Sequence, residues 1–177
     1  MSGRTSTRRS AGPAWSRPPS LIILDVDRFK SYNDTYGHQS GDRVLMVVAG
    51  LLRQHADGAD LAIRLGGEEF ALLLPGADES RSLGIAEVIR KSVERFRWPQ
   101  GSITASLGIS TLRPCTEQAT ELVEEADVAL YYSKSRGRNR AAHYRELVRL
   151  SRAGRSKPVI IPADRLVSRR RLRDFPV

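Results

Sequence analysis

The stretch that most constrains the fold is residues 64–74, with the sequence RLGGEEFALLL. Its two adjacent glycines allow the backbone to turn with positive φ, and apolar residues on either side favour two buried strands. Two carboxylates, Glu68 and Glu69, follow the glycines directly. The pattern predicts a β-hairpin with acids at its tip, where carboxylates can hold a divalent cation against a phosphate. An ordinary solvated turn has the same composition, so the hairpin alone does not decide the function.

A second motif, LIILDVDRFK, occupies residues 21–30. Four aliphatic residues that run into an acid predict a central strand ending at Asp25, and α/β sheets place chemistry at such strand ends. Three polar residues, Asn33, His38 and Asp42, follow in the next stretch of chain.

Hydrophobic periodicity outlines the remaining elements. The predicted strands are 21–25, 61–65, 69–74, 102–110 and 139–144, and the predicted helices are 27–35, 40–56, 78–97 and 119–136. This alternation predicts an α/β sandwich, in which helices pack on a central, mainly antiparallel sheet.

The net charge of +9 is concentrated at the two ends of the chain. Residues 1–20 carry four arginines and no acids, residues 145–177 carry ten basic and three acidic residues, and residues 21–144 carry fifteen basic and seventeen acidic residues. We therefore expect one domain at 21–144, a disordered basic tail at 1–20 and a solvated basic tail at 145–177. The tails lack interleaved aromatic residues, which argues against nucleic-acid binding.

No stretch of the sequence is apolar over the length that a membrane-spanning helix needs. The single cysteine, Cys115, excludes an internal disulfide and fits a reducing cytoplasm. We therefore expect a cytoplasmic protein.

Taken together, the motifs closely resemble the GGDEF family of diguanylate cyclases, here in the GGEEF spelling. The resemblance covers about residues 21–144 and includes SLGI at 106–109, ADVALY at 126–131, Lys134 and GRNR at 137–140. It implies a ferredoxin-like sheet similar to the palm of polymerases and of class III nucleotide cyclases. It also implies a reaction, the condensation of two GTP molecules into cyclic di-GMP with release of two pyrophosphates.

The resemblance assigns metal ligands and a catalytic acid–base group. Asp25 would bind Mg²⁺ or Mn²⁺ through its side chain, Val26 through its backbone carbonyl and Glu68 by completing the site, with Glu68 facing Asp25 across neighbouring strands. Glu69 would support a second ion, giving two ions per active site. Glu68 would also take the proton from the attacking 3′-hydroxyl.

The resemblance also assigns the contacts with GTP. Lys30 is a catalytic residue that steadies the terminal phosphates, and Lys134 and Arg138 reach the same phosphates. An alternative role for Lys134 and Arg138 is ordinary capping of a helix C-terminus. Asn33 and Asp42 would contact guanine, with Phe29 and His38 in the same substrate-binding region.

The sequence suggests other roles for four further acids. Asp27 and Asp34 match the family motif, and we interpret them as helix-capping residues. Many family members carry an Arg-x-x-Asp inhibitory site for the product just before the hairpin. Here Asp57 stands where the arginine is expected and Asp60 keeps the aspartate, so no product-inhibition site is predicted.

The family pattern has two further implications for this chain. One site holds one GTP, so catalysis requires a homodimer that brings two sites face to face. The Asp-x-Leu-Thr-Gly-Leu-x-Asn-Arg-Arg segment that usually precedes the first strand is not spelled out here, and we therefore expect an N-terminally truncated member. The alternative function is a non-catalytic module that binds GTP or a partner without pairing.

Overall fold

The computed structural model of the chain describes residues 18–114 and 118–154. Cys115 and most of both predicted tails lie outside the described residues. The elements are β1 (Ser20–Val26), α1 (Phe29–Tyr36), α2 (His38–Gln54), β2 (Leu61–Gly66), β3 (Glu69–Leu74), α3 (Glu79–Arg95), β4 (Ala105–Thr111), α4 (Ala119–Ser135), β5 (Ala141–His143) and α5 (Tyr144–Arg152).

The strands form one sheet in the order β2-β3-β1-β4-β5. The central strand β1 runs antiparallel to β3 and β4, β2 runs antiparallel to β3, and β5 runs parallel to β4. The predicted α/β sandwich with a mainly antiparallel sheet is therefore confirmed. Most element boundaries differ from the prediction by one or two residues, and the largest difference is at β4, which begins at Ala105 rather than at residue 102.

Both faces of β1 are buried, which explains its continuous aliphatic sequence. Ile22 and Leu24 point into a large core beneath α2 and α3. Leu21 and Ile23 alternate onto the opposite face, where they pack with Ala126 and Leu130 of α4. Because side chains alternate along a strand, Asp25 continues the series of Leu21 and Ile23 and lies on the α4 face.

The backbones of α4 and β4 come into direct contact at Gly108. A Cβ atom at this position would lie 2.2 Å from the carbonyl oxygen of Ala126 and 2.2 Å from the amide nitrogen of Leu130. Two buried serines hold the same helix, since Ser133 Oγ donates to the Leu107 carbonyl at 2.8 Å and Ser110 Oγ donates to the Leu122 carbonyl at 2.6 Å. These contacts fix the height of α4 above the sheet, and with it the position of the C-terminal end of the helix.

Helix α5 was not predicted, because its residues fall in the segment that we assigned to a solvated tail. Leu147 is buried against Ala129 and Ala142, and Arg149 makes a two-pronged ion pair with Glu79 of α3 at 2.8 and 2.9 Å. The arginines of α5 face outward and hid its amphipathic pattern within a basic stretch. For residues 145–152 the expectation of a solvated tail is wrong, and Tyr144, expected to end the last strand, begins this helix.

A buried chain of hydrogen bonds crosses the sheet from β5 to β1. His143 is 1% exposed; its Nδ1 accepts from the Arg145 amide at 3.1 Å and its Nε2 lies 2.9 Å from Thr111 Oγ1. Thr111 Oγ1 lies 2.7 Å from Ser20 Oγ, which donates to the Ala77 carbonyl at 2.6 Å. Since Nδ1 is an acceptor, the neutral imidazole carries its proton on Nε2 and donates to Thr111.

Among the described residues, no helix is both long and apolar enough to cross a bilayer.

Replacing Gly108 with alanine should destabilise the domain by about 3 kcal/mol, since the added methyl group meets backbone atoms that cannot rotate away. The matched control is Gly84→Ala in α3, where a Cβ meets nothing within 4 Å. That change should stabilise the helix by about 1 kcal/mol. Urea unfolding of both variants measures the difference, and equal stabilities would contradict the close contact between α4 and β4.

His143 should contribute a loss of domain stability as the pH falls from about 6.5 to about 4. Burial lowers its pKa from 6.5 to about 4; Arg145 and Arg149 of α5 act in the same direction, and Glu79 of α3 acts against them. The unfolded chain therefore binds a proton in this interval that the folded chain excludes, so acid favours unfolding.

The variant His143→Gln isolates this effect. Its free energy of unfolding should vary less with pH, because the group that takes up the proton on unfolding is absent. The measurement is thermal unfolding of both proteins between pH 4 and pH 8. Parallel curves for the two proteins would show that His143 takes up no proton on unfolding.

Candidate active site

The hairpin of β2 and β3 places two glutamates beside the end of β1. Gly66 and Gly67 have φ values of 133° and 53°, and the Arg64 guanidinium closes the turn by donating to the Gly67 carbonyl at 2.8 and 3.1 Å. The Val26 amide donates to the Glu68 carbonyl at 3.2 Å. The backbone of Glu68 is thus tied to β1.

The cross-strand partner of Asp25 differs by one residue from the expectation. Asp25 pairs with Glu69, and not with Glu68, in the register of β1 and β3. Directly opposed residues on neighbouring strands point to the same face, so Glu69 shares the α4 face with Asp25. The register of β1 and β3 is continuous up to this pair, whereas the pairing of β2 with β3 has an irregularity between Arg64 and Gly66.

Lys134, near the C-terminal end of α4, lies directly over these acids. Its Nζ is 2.7 Å from Asp25 Oδ2, and the Asp25 side chain is only 9% exposed. Burial raises the pKa of Asp25 to about 6; Lys134 acts against this through its charge and hydrogen bond, and Glu68 and Glu69 raise the pKa further. The site therefore concentrates negative charge that one lysine partly offsets.

A cavity of about 240 Å³ opens beside this ion pair. It is lined by acids and bases from both layers, namely Glu69, Asp127, Lys134 and Arg138, together with Leu130, Tyr131 and Ser135. Asp127 is 4% exposed, and our sequence analysis gave it no role. A buried acid on the apolar face of α4 was the signal that could have identified it. The mixture of cations and carboxylates suits a phosphate group that carries a divalent cation.

Lys30 and Phe29 occupy the first turn of α1, directly after the end of β1. Lys30 is exposed, whereas Phe29 is 8% exposed and packs in the core. The expected capping roles of the two neighbouring acids are wrong. The N-cap position of α1 is Arg28, Asp34 lies inside the helix, and Asp27 accepts hydrogen bonds from Thr104 and Ser106 instead.

The predicted guanine-binding residues lie at the corner between α1 and α2. His38 and Asp42 are exposed in the first turns of α2, and Asn33 is half-buried in α1. Asn33 Oδ1 is buried and has no hydrogen-bond partner among the described residues. It packs against Gly41, where a Cβ would lie 1.8 Å from that oxygen. Buried acceptors without a partner are rare in native proteins, so this one marks the corner as a candidate ligand site.

Asp57 and Asp60 form a local turn before β2. The Asp57 amide donates to Asp60 Oδ2 at 2.9 Å, and the Asp60 amide donates to the Asp57 carbonyl at 2.7 Å. The carboxylate of Asp60 is therefore engaged with the backbone of its own turn.

The donor atoms at the end of β1 fit a hard cation that brings further ligands with it. Asp25, Glu68 and Glu69 supply carboxylate oxygens, and Val26, which follows Asp25 in the chain, supplies a backbone carbonyl. Across residues 18–114 and 118–154, no three histidine, cysteine or acidic side chains converge as a complete metal cage. Mg²⁺ commonly binds through one or two carboxylates and completes its shell with water and substrate phosphates, so this donor set fits a cation–nucleotide complex.

A family profile described as "Diguanylate cyclase, GGDEF domain" matches residues 7–140. The chain belongs to the GGDEF family. The match begins ahead of residue 21, where the sequence motifs first indicated the family, and ends close to the predicted residue 144.

Relatives of known name and structure agree with this assignment. Diguanylate cyclase A of Treponema denticola is 44% identical over 125 residues, which are 68% of this chain and 34% of that protein. The active GGEEF domain of a diguanylate cyclase from Vibrio cholerae has a TM-score of 0.70 at 32% identity, covering 73% of this chain and 84% of that one.

The GGDEF domain of DgcB from Caulobacter crescentus, solved in complex with c-di-GMP, has a TM-score of 0.68 at 38% identity, covering 73% of this chain and 80% of that one. The present chain spans about a third of the length of the curated diguanylate cyclase from Treponema denticola. The structural matches confirm the predicted palm-like fold.

Replacing Lys134 with methionine should strengthen Mn²⁺ binding to the isolated domain by roughly fivefold. The ammonium group competes with an added cation for Asp25, and a partly exposed charge pair is worth about 1 kcal/mol. Isothermal titration at pH 8, well above the pKa of Asp25, measures the affinity. The control is Lys91→Met, which removes an exposed lysine from α3. Unchanged affinity in Lys134→Met would show that Lys134 does not compete for the carboxylate.

Proposed function

We propose that this domain condenses two GTP molecules into cyclic di-GMP and releases two pyrophosphates. The observation that carries the proposal is the convergence of Asp25, Glu69 and Lys134 at one point, with Glu68 beside them. Membership of a family whose named relatives are diguanylate cyclases supports it. The acids are intact, which favours a catalytic domain over a module that only binds GTP.

Asp25, Glu68 and the Val26 carbonyl would hold a Mg²⁺ or Mn²⁺ ion, and Glu69 would support a second. When bound, such ions neutralise phosphate charge and make a hydroxyl group easier to deprotonate. Glu68 accepts the proton of the attacking 3′-hydroxyl. The oxygen then bonds to the α-phosphorus of the other GTP, and the bond from that phosphorus to the bridging oxygen breaks as pyrophosphate leaves.

Three cations would hold the phosphates. Lys134 and Arg138 line the cavity beside the acids, and Lys30 stands in the first turn after β1. Lys134, which pairs with Asp25 in this structure, would contact phosphate when a cation is held by that carboxylate. Charge on the departing pyrophosphate is then balanced by groups already in position.

Guanine would bind at the corner of α1 and α2. Asp42 can accept hydrogen bonds from the N1–H and the amino group of guanine, and Asn33 offers a buried acceptor together with an amide donor. Phe29 and His38 border the same corner. This donor and acceptor pattern favours guanine over adenine, which has an amino group where guanine has a carbonyl.

Catalysis in this scheme requires a homodimer, because each site supplies one GTP and the two must react with each other. We place the reaction in the cytoplasm, in keeping with a GTP substrate and a single cysteine.

The test is incubation of the protein with GTP and Mg²⁺ over a range of protein concentrations, with chromatography of the nucleotides. We expect cyclic di-GMP to increase faster than linearly with protein and to fall at least about a hundredfold in Glu68→Gln, as losses of a general base commonly do. Glu124→Gln, an exposed change on α4, is the matched control. GTP binding without product in the wild type would instead identify a non-catalytic GTP-binding module.

Cyclic di-GMP should not inhibit the enzyme tightly through the turn at Asp57 and Asp60. An aspartate replaces the arginine that would grip the phosphates, and two carboxylates at one turn repel an anionic product. Calorimetric titration with cyclic di-GMP checks this expectation. A binding signal that disappears in Asp60→Ala would contradict it.

A further inference from the structure

Arg138 lies in a turn whose backbone is strained at two consecutive residues. Arg138 and Asn139 have φ values of 65° and 46°, in the left-handed region that residues other than glycine rarely adopt. Each such residue costs about 1 kcal/mol or more, so the conformation persists only where the surrounding structure enforces it. The turn follows α4, and the Arg138 amide donates to the Ser133 carbonyl at 3.1 Å.

One anchor of this turn is the buried carboxylate of Asp27. It accepts from Thr104 Oγ1 at 2.8 Å, from Ser106 Oγ at 2.7 Å and from the Asn139 backbone amide at 3.0 Å. Asp27 is 6% exposed, so these hydrogen bonds to an ionised acceptor are shielded from water. They tie the end of β1 to β4 and to the residue directly after Arg138.

A second anchor comes from α3, on the opposite face of the sheet from α4. Arg90 Nη1 donates to Asn139 Oδ1 at 2.8 Å, and Asn139 Nδ2 donates to Glu94 Oε1 at 2.6 Å. Arg90 is itself held by Glu87 at 3.0 Å and by Glu94 at 2.9 Å. The oxygen and the nitrogen of the Asn139 side-chain amide are therefore both hydrogen-bonded to α3.

These anchors act on the backbone that presents Arg138 to the site. Arg138 lines the cavity beside Lys134, and it also lines a second cavity, of about 450 Å³, which Asp27 and Asn139 border. The exposed guanidinium of Arg138 could reach into either cavity, and the fixed backbone limits which positions it can take.

We propose that Asn139 is a positioning residue, which sets the phosphate-binding geometry of Arg138 through its contacts with Asp27, Arg90 and Glu94. This proposal rests on the phosphate-binding role of Arg138 given above. In this proposal α3 also affects phosphate binding, although its residues Arg90 and Glu94 line neither cavity.

A double-mutant cycle tests the proposal by equilibrium binding of 3′-deoxy-GTP, which lacks the attacking hydroxyl and is not turned over. Asn139→Gly removes the side-chain contacts with Arg90 and Glu94. Because glycine tolerates a positive φ, a change in binding then reflects the lost contacts and not added backbone strain. We expect Arg138→Ala and Asn139→Gly each to weaken binding by about tenfold, the value of a charge-assisted hydrogen bond. The double variant should bind as Arg138→Ala does, because Asn139 acts only through Arg138.

The control for loss of positive charge is Arg136→Ala, whose guanidinium lies 5.4 Å from the centre of the Tyr132 ring and should not affect binding. Thermal unfolding of every variant separates stability from affinity. Asn139→Asp, which keeps the size of the side chain but loses the donor to Glu94, repeats the cycle if Asn139→Gly does not fold.

Two results would overturn the positioning role. One is additive loss of affinity in the double variant, and the other is a lower unfolding temperature for Asn139→Gly with unchanged affinity. Failure of the wild type to bind 3′-deoxy-GTP, or full affinity in Arg138→Ala, would instead remove the phosphate-binding role of Arg138. The proposed function and the inference therefore fail in different ways.

Discussion

The site depends on the direct contact between α4 and β4 at Gly108. A helix that lay further from the sheet would carry Lys134 away from Asp25, and the turn that follows α4 would carry Arg138 with it. The serine hydrogen bonds on either side of the contact keep the helix at this height. The absence of a side chain at Gly108, in the middle of β4, therefore allows Lys134 of α4 to reach Asp25 at the end of β1.

The charges at the end of β1 do not favour the stability of the fold. Three acids lie near one another, and burial disfavours the ionised form of Asp25 even with Lys134 beside it. Removing a charge there would relieve repulsion, and a cation bound to one or two of the acids would offset it as well. Functional sites commonly retain such unfavourable groupings because a ligand completes them.

The central elements could be predicted from the sequence, because strands and helices with strong periodicity keep their identity in any fold. The uninterrupted aliphatic run from Leu21 to Leu24, and the glycine pair before Glu68, were sufficient. Helix α5 could not be found, since its apolar stripe is narrow and its arginines resemble a tail. The partner of Asp25 and the contacts of Asp27 depend on register and on distant strands, which local sequence does not record.

At the tip of the hairpin, the backbone of Glu68 contributes to the fold and its side chain does not. The carbonyl of Glu68 receives the Val26 amide, while no backbone contact depends on what the side chain of residue 68 is. Selection can therefore alter or abolish the acid at this position without disturbing the architecture. A copy of this domain that had lost its chemistry would still fold, and it could persist as a receptor or scaffold after ceasing to be an enzyme.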